Sequence, residues 1–107
     1  MERLTPGEEK IMFRLWKLEK ASVKEIVDLF EDPKPAYNTV STIVRILERK
    51  KFIKHKAIGR GYVYVPRISR DEYREYVADY LLKNFFDGNR NEIISFYTSK
   101  VELSDIL

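Results

Sequence analysis

The sequence predicts a mainly α fold with one small β-hairpin, and three observations lead there. Residue pairs with helix-capping chemistry precede three runs of apolar residues at helical spacing. The stretch KHKAIGRGYVYVP, residues 54–66, alternates strand-forming residues around Gly59-Arg60-Gly61. Further apolar-periodic segments follow it, so the order is three helices, two strands, then two or more helices.

The elements can be justified in turn. In Thr5-Pro6-Gly7-Glu8, threonine caps, proline takes the first turn and glutamate completes a capping box. Ile11, Met12, Leu15 and Trp16 then carry a helix to about Lys20, with Trp16 expected in the core. Ser22-Val23-Lys24-Glu25 repeats the box and opens a short helix carrying Ile26, Val27, Leu29 and Phe30. Pro33 and Pro35 stop it, because proline cannot continue the backbone ladder. A third helix is expected from Ala36 to Lys51. At 100° per residue, Val40, Ile43, Val44 and Leu47 share one arc, and Asn38, Ser41, Thr42, Arg45 and Arg49 share the opposite one.

Phe52–Ile58 and Tyr62–Pro66 form the hairpin, with Gly59 and Gly61 expected to supply positive φ at its tip. Tyr62 and Tyr64 are expected to pack against the third helix. Ser69-Arg70-Asp71-Glu72 is a third capping box, opening a helix with Tyr73, Val77, Tyr80, Leu81 and Asn84 along one side. Phe85 and Phe86 close it, Asp87-Gly88-Asn89 turns, and a shorter helix follows from Arg90 to Lys100. Leu103-Ser104-Asp105 reads as the start of one more.

Composition bounds the chemistry. The 107 residues suffice for one small domain and an appended segment. With no cysteine, disulfides, thiolate metal sites and cysteine nucleophiles are excluded. His55 is the only histidine, so no zinc site is expected, and a place on the hairpin surface is. The acids Glu8, Glu9, Glu19, Asp28 and Glu48 fall at caps or polar faces, and no nucleophile–base set converges; neither an enzyme nor a cofactor is expected. No apolar run approaches the roughly 18 residues that span a bilayer, and MERLTPGEEK lacks a secretory apolar stretch. A cytoplasmic protein without membrane insertion is the expectation.

Charge is divided unevenly. Through Arg67 there are 15 Lys/Arg against 9 Asp/Glu; from Ile68 onward there are 5 against 8. Between Arg45 and Arg60 lie seven basic residues and a single acid, Glu48. A solvated helix face normally mixes Glu with Lys, whereas the polar arc of the third helix offers amide, hydroxyl and guanidinium groups. Those are the groups that read base edges and grip phosphates. Three helices followed by a basic hairpin is the winged helix-turn-helix arrangement, whose third helix enters the major groove. The expected division is therefore a DNA-binding domain at residues 1–68 and a helical dimerisation segment at residues 69–107.

Asn38, Ser41, Thr42 and Arg45 are the candidates for base or groove contacts. Arg49, Lys54, Lys56 and Arg60 are the candidates for phosphates. The apolar residues of the last helices exceed what two short helices can bury alone. Tyr73, Val77, Tyr80, Leu81, Phe85, Ile93, Ile94 and Tyr97 are therefore assigned to a dimer interface. Two other readings compete: a winged-helix protein-interaction module without DNA binding, and a ligand-sensing regulator with a pocket among the C-terminal aromatics.

Three stretches resemble the penicillinase-repressor family, which includes the β-lactamase and methicillin-resistance repressors of bacteria. They are Leu4-Thr5-Pro6-Gly7-Glu8 with Ile11-Met12 and Leu15-Trp16, then residues 38–47 (NTVSTIVRIL), and Gly59-Arg60-Gly61-Tyr62-Val63-Tyr64-Val65-Pro66. The resemblance implies a homodimeric repressor on a palindromic DNA operator, with the C-terminal helices as dimer interface. In one branch an inducing protease system cuts an Asn-Phe bond in the C-terminal helices. The matching pair here is Phe96-Tyr97, so the asparagine is missing. A copper-responsive branch carries C-terminal cysteines, which this chain lacks, and Ile46 stands where arginine is common in the family.

Overall fold

The computed structural model describes residues 1–106, with side chains through Lys100. The elements are α1 (Pro6–Leu18), α2 (Val23–Asp28), α3 (Tyr37–Arg49), β1 (Ile53–Ile58), β2 (Gly61–Pro66), α4 (Arg70–Phe85) and α5 (Arg90–Ile106). The fold is a winged helix, mainly α with one antiparallel hairpin. The chain divides into two compact units, Glu2–Tyr73 and Arg74 onward, the latter including Met1.

All three capping boxes form as the sequence predicts. Thr5 Oγ1 accepts from Glu8 N while Thr5 N donates to the Glu8 carboxylate. Ser22 with Glu25, and Ser69 with Glu72, repeat the arrangement. Each box satisfies two backbone N–H groups that a helix start would otherwise leave open. The end of α2 is closed differently. Lys34 Nζ reaches back from the following turn and donates to the carbonyls of Asp28 (3.0 Å) and Phe30 (2.6 Å). The helix ends at Asp28, and Leu29, its C-cap, is exposed.

The core of the first unit is Ile11, Met12 and Leu15 from α1, Ile26 from α2, Val40, Val44 and Leu47 from α3, and Phe52 and Ile53. Ile43 and Trp16 are only half-buried. Trp16 lies at the edge because its indole N–H donates to the Ile68 carbonyl (2.8 Å). The hairpin pairs Ile53 with Pro66 through to Ile58 with Gly61. Ala21 adds a short third rung: its N–H donates to Tyr64 O (3.0 Å) and its carbonyl accepts from Tyr64 N (2.8 Å).

Tyr73 departs from expectation. Assigned above to a dimer surface, it is 3% exposed and belongs to the core of the first unit. Its ring packs near Trp16 and Phe52 at 5.8 Å between centroids in each case. Its hydroxyl accepts from Leu4 N (2.9 Å) and donates to Glu9 (2.6 Å). Burial first, then that donated bond, pushes the phenol up to about 12.

In the second unit, Asp87 and Gly88 both adopt positive φ between α4 and α5, and Asn89 Oδ1 accepts from Glu92 N at the start of α5. The helix then continues to Ile106, so the additional helix expected from Leu103 is not a separate element. Phe85 (66%), Ile94 (61%) and Tyr97 (65%) are largely exposed, while Val77, Leu81 and Ile93 are half-buried. Among the described residues, no helix is long and apolar enough to cross a membrane.

Candidate nucleic-acid interface

The strongest candidate surface is built on α3. Val40, Val44 and Leu47 are fully buried, which fixes the helix rotation and turns the opposite arc to solvent. Asn38, Thr42, Arg45 and Arg49 are exposed there, and Ser41 is half-buried. Arg45 Nη2 donates to Ser41 Oγ (3.3 Å), which steadies a guanidinium that keeps further N–H donors pointing outward. Thr42 Oγ1 donates to the Asn38 carbonyl (2.9 Å), so its proton is already used. What Thr42 offers outward is lone pairs and a methyl group, suited to a base amino group or a thymine methyl. Tyr37, 55% exposed, and Thr39 complete the first turn. The two-arc reading passed over both because they flank the core direction instead of opposing it.

The hairpin supplies the neighbouring surface. Its tip has two residues, Gly59 and Arg60, and only Gly59 has positive φ (60°). Gly61, expected to need the same freedom, is instead the first residue of β2 and pairs with Ile58. A positive φ at the first tip position alone is the pattern of a type II′ turn, whose twist suits a hairpin. Arg60 occupies the second tip position and is exposed.

Register decides which side chains share a side with α3. Alternate strand residues point to opposite faces, so His55, Ala57, Tyr62 and Tyr64 lie on one face and Lys54, Lys56, Val63 and Val65 on the other. The first face is the one turned to α3: His55 Nδ1 hydrogen-bonds the Glu48 carboxylate, and Tyr64 is buried. Burial, with Glu48 adding to it, raises the Tyr64 phenol. Lys54 and Lys56 are exposed but stand on the face away from α3, so the structure does not group them with Asn38 and Arg45. Tyr62, expected to pack on α3, is 55% exposed beside His55.

Two charges of this region are spent internally. Lys50 donates to the buried Glu8 carboxylate (2.9 Å) and lies 4.0 Å from Glu2, which removes it from the basic surface. Burial alone would raise the Glu8 carboxyl, but hydrogen bonds from the Thr5 amide and Lys50 more than offset it and hold it below its ordinary value. Glu48, the single acid of the basic stretch, is engaged by His55.

Other candidates are placed as follows. Among the described residues, no group of three or more His, Asp or Glu could hold a metal ion. A groove of about 840 Å³ lies over Phe13, Trp16 and Pro66, rimmed by Lys17, Arg67 and Arg70, not among the C-terminal aromatics. Phe96 and Tyr97, the pair aligned with the family's cleaved bond, are both exposed, and their shared peptide lies inside α5.

A family model described as Penicillinase repressor matches residues 4–106. Comparison with curated proteins finds no match. The three stretches singled out in the sequence fall on the start of α1, on α3, and on the tip with β2.

Proposed function

Because the chain belongs to the penicillinase repressor family, we propose that this transcriptional regulator represses by binding a palindromic DNA operator as a homodimer. One observation carries the reading: the acid-free outer arc of α3, with Asn38, Thr42, Arg45 and Arg49 exposed opposite the fully buried Val40, Val44 and Leu47. Asn38, Ser41, Thr42 and Arg45 are the groups for base edges. Arg49 and Arg60 grip phosphates beside them, and Lys54 and Lys56 engage the backbone from the outer side of the wing. Dimerisation is supported by the exposure of Phe85, Ile94 and Tyr97 together with Tyr80, more apolar surface than a small helical unit normally leaves open. Tyr73, buried in the first unit, is left out of the proposed interface. The protein would act in the cytoplasm, where its operator lies.

Induction by a protease, as in one branch of the family, would require α5 to unwind around Phe96-Tyr97, since a helical peptide bond is not presented in extended form. The test of the main reading is selection from a random duplex library. The expected result is an inverted repeat whose half-sites are separated by one helical turn, about 10 base pairs, or a multiple of it. Enrichment of no sequence, with no duplex binding even at low salt, refutes the reading. Sedimentation of the free protein separately tests the dimer.

A further inference from the structure

The wing and α3 are tied at one polar joint. His55, the third residue of β1, hydrogen-bonds through Nδ1 to Oε2 of Glu48 in the last turn of α3. The imidazole sits edge-on to Tyr62 (4.9 Å between centroids) and near Tyr64 (6.2 Å). Farther out along β1, Lys56, Ala57 and Ile58 are all exposed. A two-stranded hairpin is marginal without packing, and here the inner end is secured by Ile53, Tyr64 and Ala21. His55 is where that support gives out.

We infer that His55 is a positioning residue for nucleic-acid binding: through Glu48 it couples the outer wing to α3, so that Arg60 and the α3 arc meet one duplex as a single surface. An isolated polar contact on the surface contributes little. This one differs in that two aromatic neighbours limit the ring and the two partners belong to the two elements that must act together. The same bond occupies the only carboxylate between Arg45 and Arg60, keeping it from opposing phosphates unpaired. The inference rests on the DNA-binding reading, and its two parts, positioning and charge cover, separate experimentally.

The experiment uses the full chain and a random-sequence duplex in fluorescence anisotropy, with Trp16 emission as a check on folding. His55→Ala should weaken binding about threefold to tenfold, the range of one ordinary net hydrogen bond at an exposed site. His55→Gln, which keeps an N–H donor, should recover most of it. The double variant His55→Ala with Glu48→Gln should remain weaker than Glu48→Gln alone, because removing the charge does not restore the tie. Amide hydrogen exchange without DNA should quicken across residues 54–62 in His55→Ala and not in His55→Gln. Binding by His55→Ala within twofold of the parent overturns the inference. Full recovery in the double variant also overturns it, leaving charge cover alone. If the parent binds no duplex, the DNA-binding reading fails and the inference with it, whereas unchanged exchange in a parent that does bind overturns the positioning inference and leaves the DNA-binding reading standing.

Discussion

Replacing Tyr73 with phenylalanine isolates one oxygen atom in the core of the first unit. The ring contacts with Trp16 and Phe52 stay, while the hydroxyl that accepts from Leu4 N and donates to Glu9 is lost. Glu9 retains Arg3 (3.3 Å) as a partner, but the buried Leu4 amide loses its acceptor. Leaving a buried donor unsatisfied costs about 1–3 kcal/mol. For a unit of this size that corresponds to roughly 4–8 °C in midpoint per kcal/mol. Trp16 is the only tryptophan and touches this ring, so its emission during urea unfolding reports on the right unit. A second readout follows from the phenol, raised from 10.0 to about 12.

The fold favours the neutral form of Tyr73. Its contribution is therefore fully present below the unfolded value near 10 and lost as pH rises through about 12. That displacement amounts to about 2–3 kcal/mol, and Tyr73→Phe should reduce the alkaline slope, leaving the smaller part due to Tyr64, while lowering stability at neutral pH. Unchanged stability at neutral pH, or an alkaline slope that the substitution does not diminish, refutes the assignment of Tyr73 to this core. Duplex binding and self-association should be unaffected in any variant that stays folded.

Three further outcomes are expected. Lys50→Met should destabilise the first unit by about 1–3 kcal/mol, since buried Glu8 loses a charged partner. Glu8 is held below its ordinary value, so its stabilisation is present above about pH 4.3 and lost as pH falls through the depressed value; acid unfolding should be shallower in Lys50→Met. Arg60→Ala should weaken binding to every duplex sequence and lower the slope of log affinity against log salt by about one, measured by anisotropy across a salt series. Thr42→Ala should cost more affinity on a selected operator than on a scrambled duplex, and equal losses on the two would remove Thr42 from base reading.

Much of this fold was legible because its signals are local. Thr5 with Glu8, Ser22 with Glu25 and Ser69 with Glu72 each satisfy backbone groups within one turn, so three residues suffice to announce each helix. The outward arc of α3 was equally readable, because Val40, Val44 and Leu47 fix its rotation by burial alone. What failed depended on contacts distant in sequence. Tyr73 sits on the same stripe as Val77 and Leu81, and nothing nearby says that its partners are Leu4 and Glu9. Lys54 and Lys56 were counted as wing charge, but their side of the hairpin depends on which face meets Glu48. The end of α2 is a nearer case, where the helix stops at Asp28 and Lys34 donates to the carbonyls of Asp28 and Phe30.

That last contact reaches beyond the end of a helix. The elbow between α2 and α3 is held by an exposed ammonium on two carbonyls, an attraction that dissolved ions weaken. Salt would therefore act on the free protein as well as on any complex, loosening the joint behind the helix proposed to read DNA. A duplex-titration slope for this chain would then include a contribution from its own elbow, and converting it directly into a number of neutralised phosphates would overcount them.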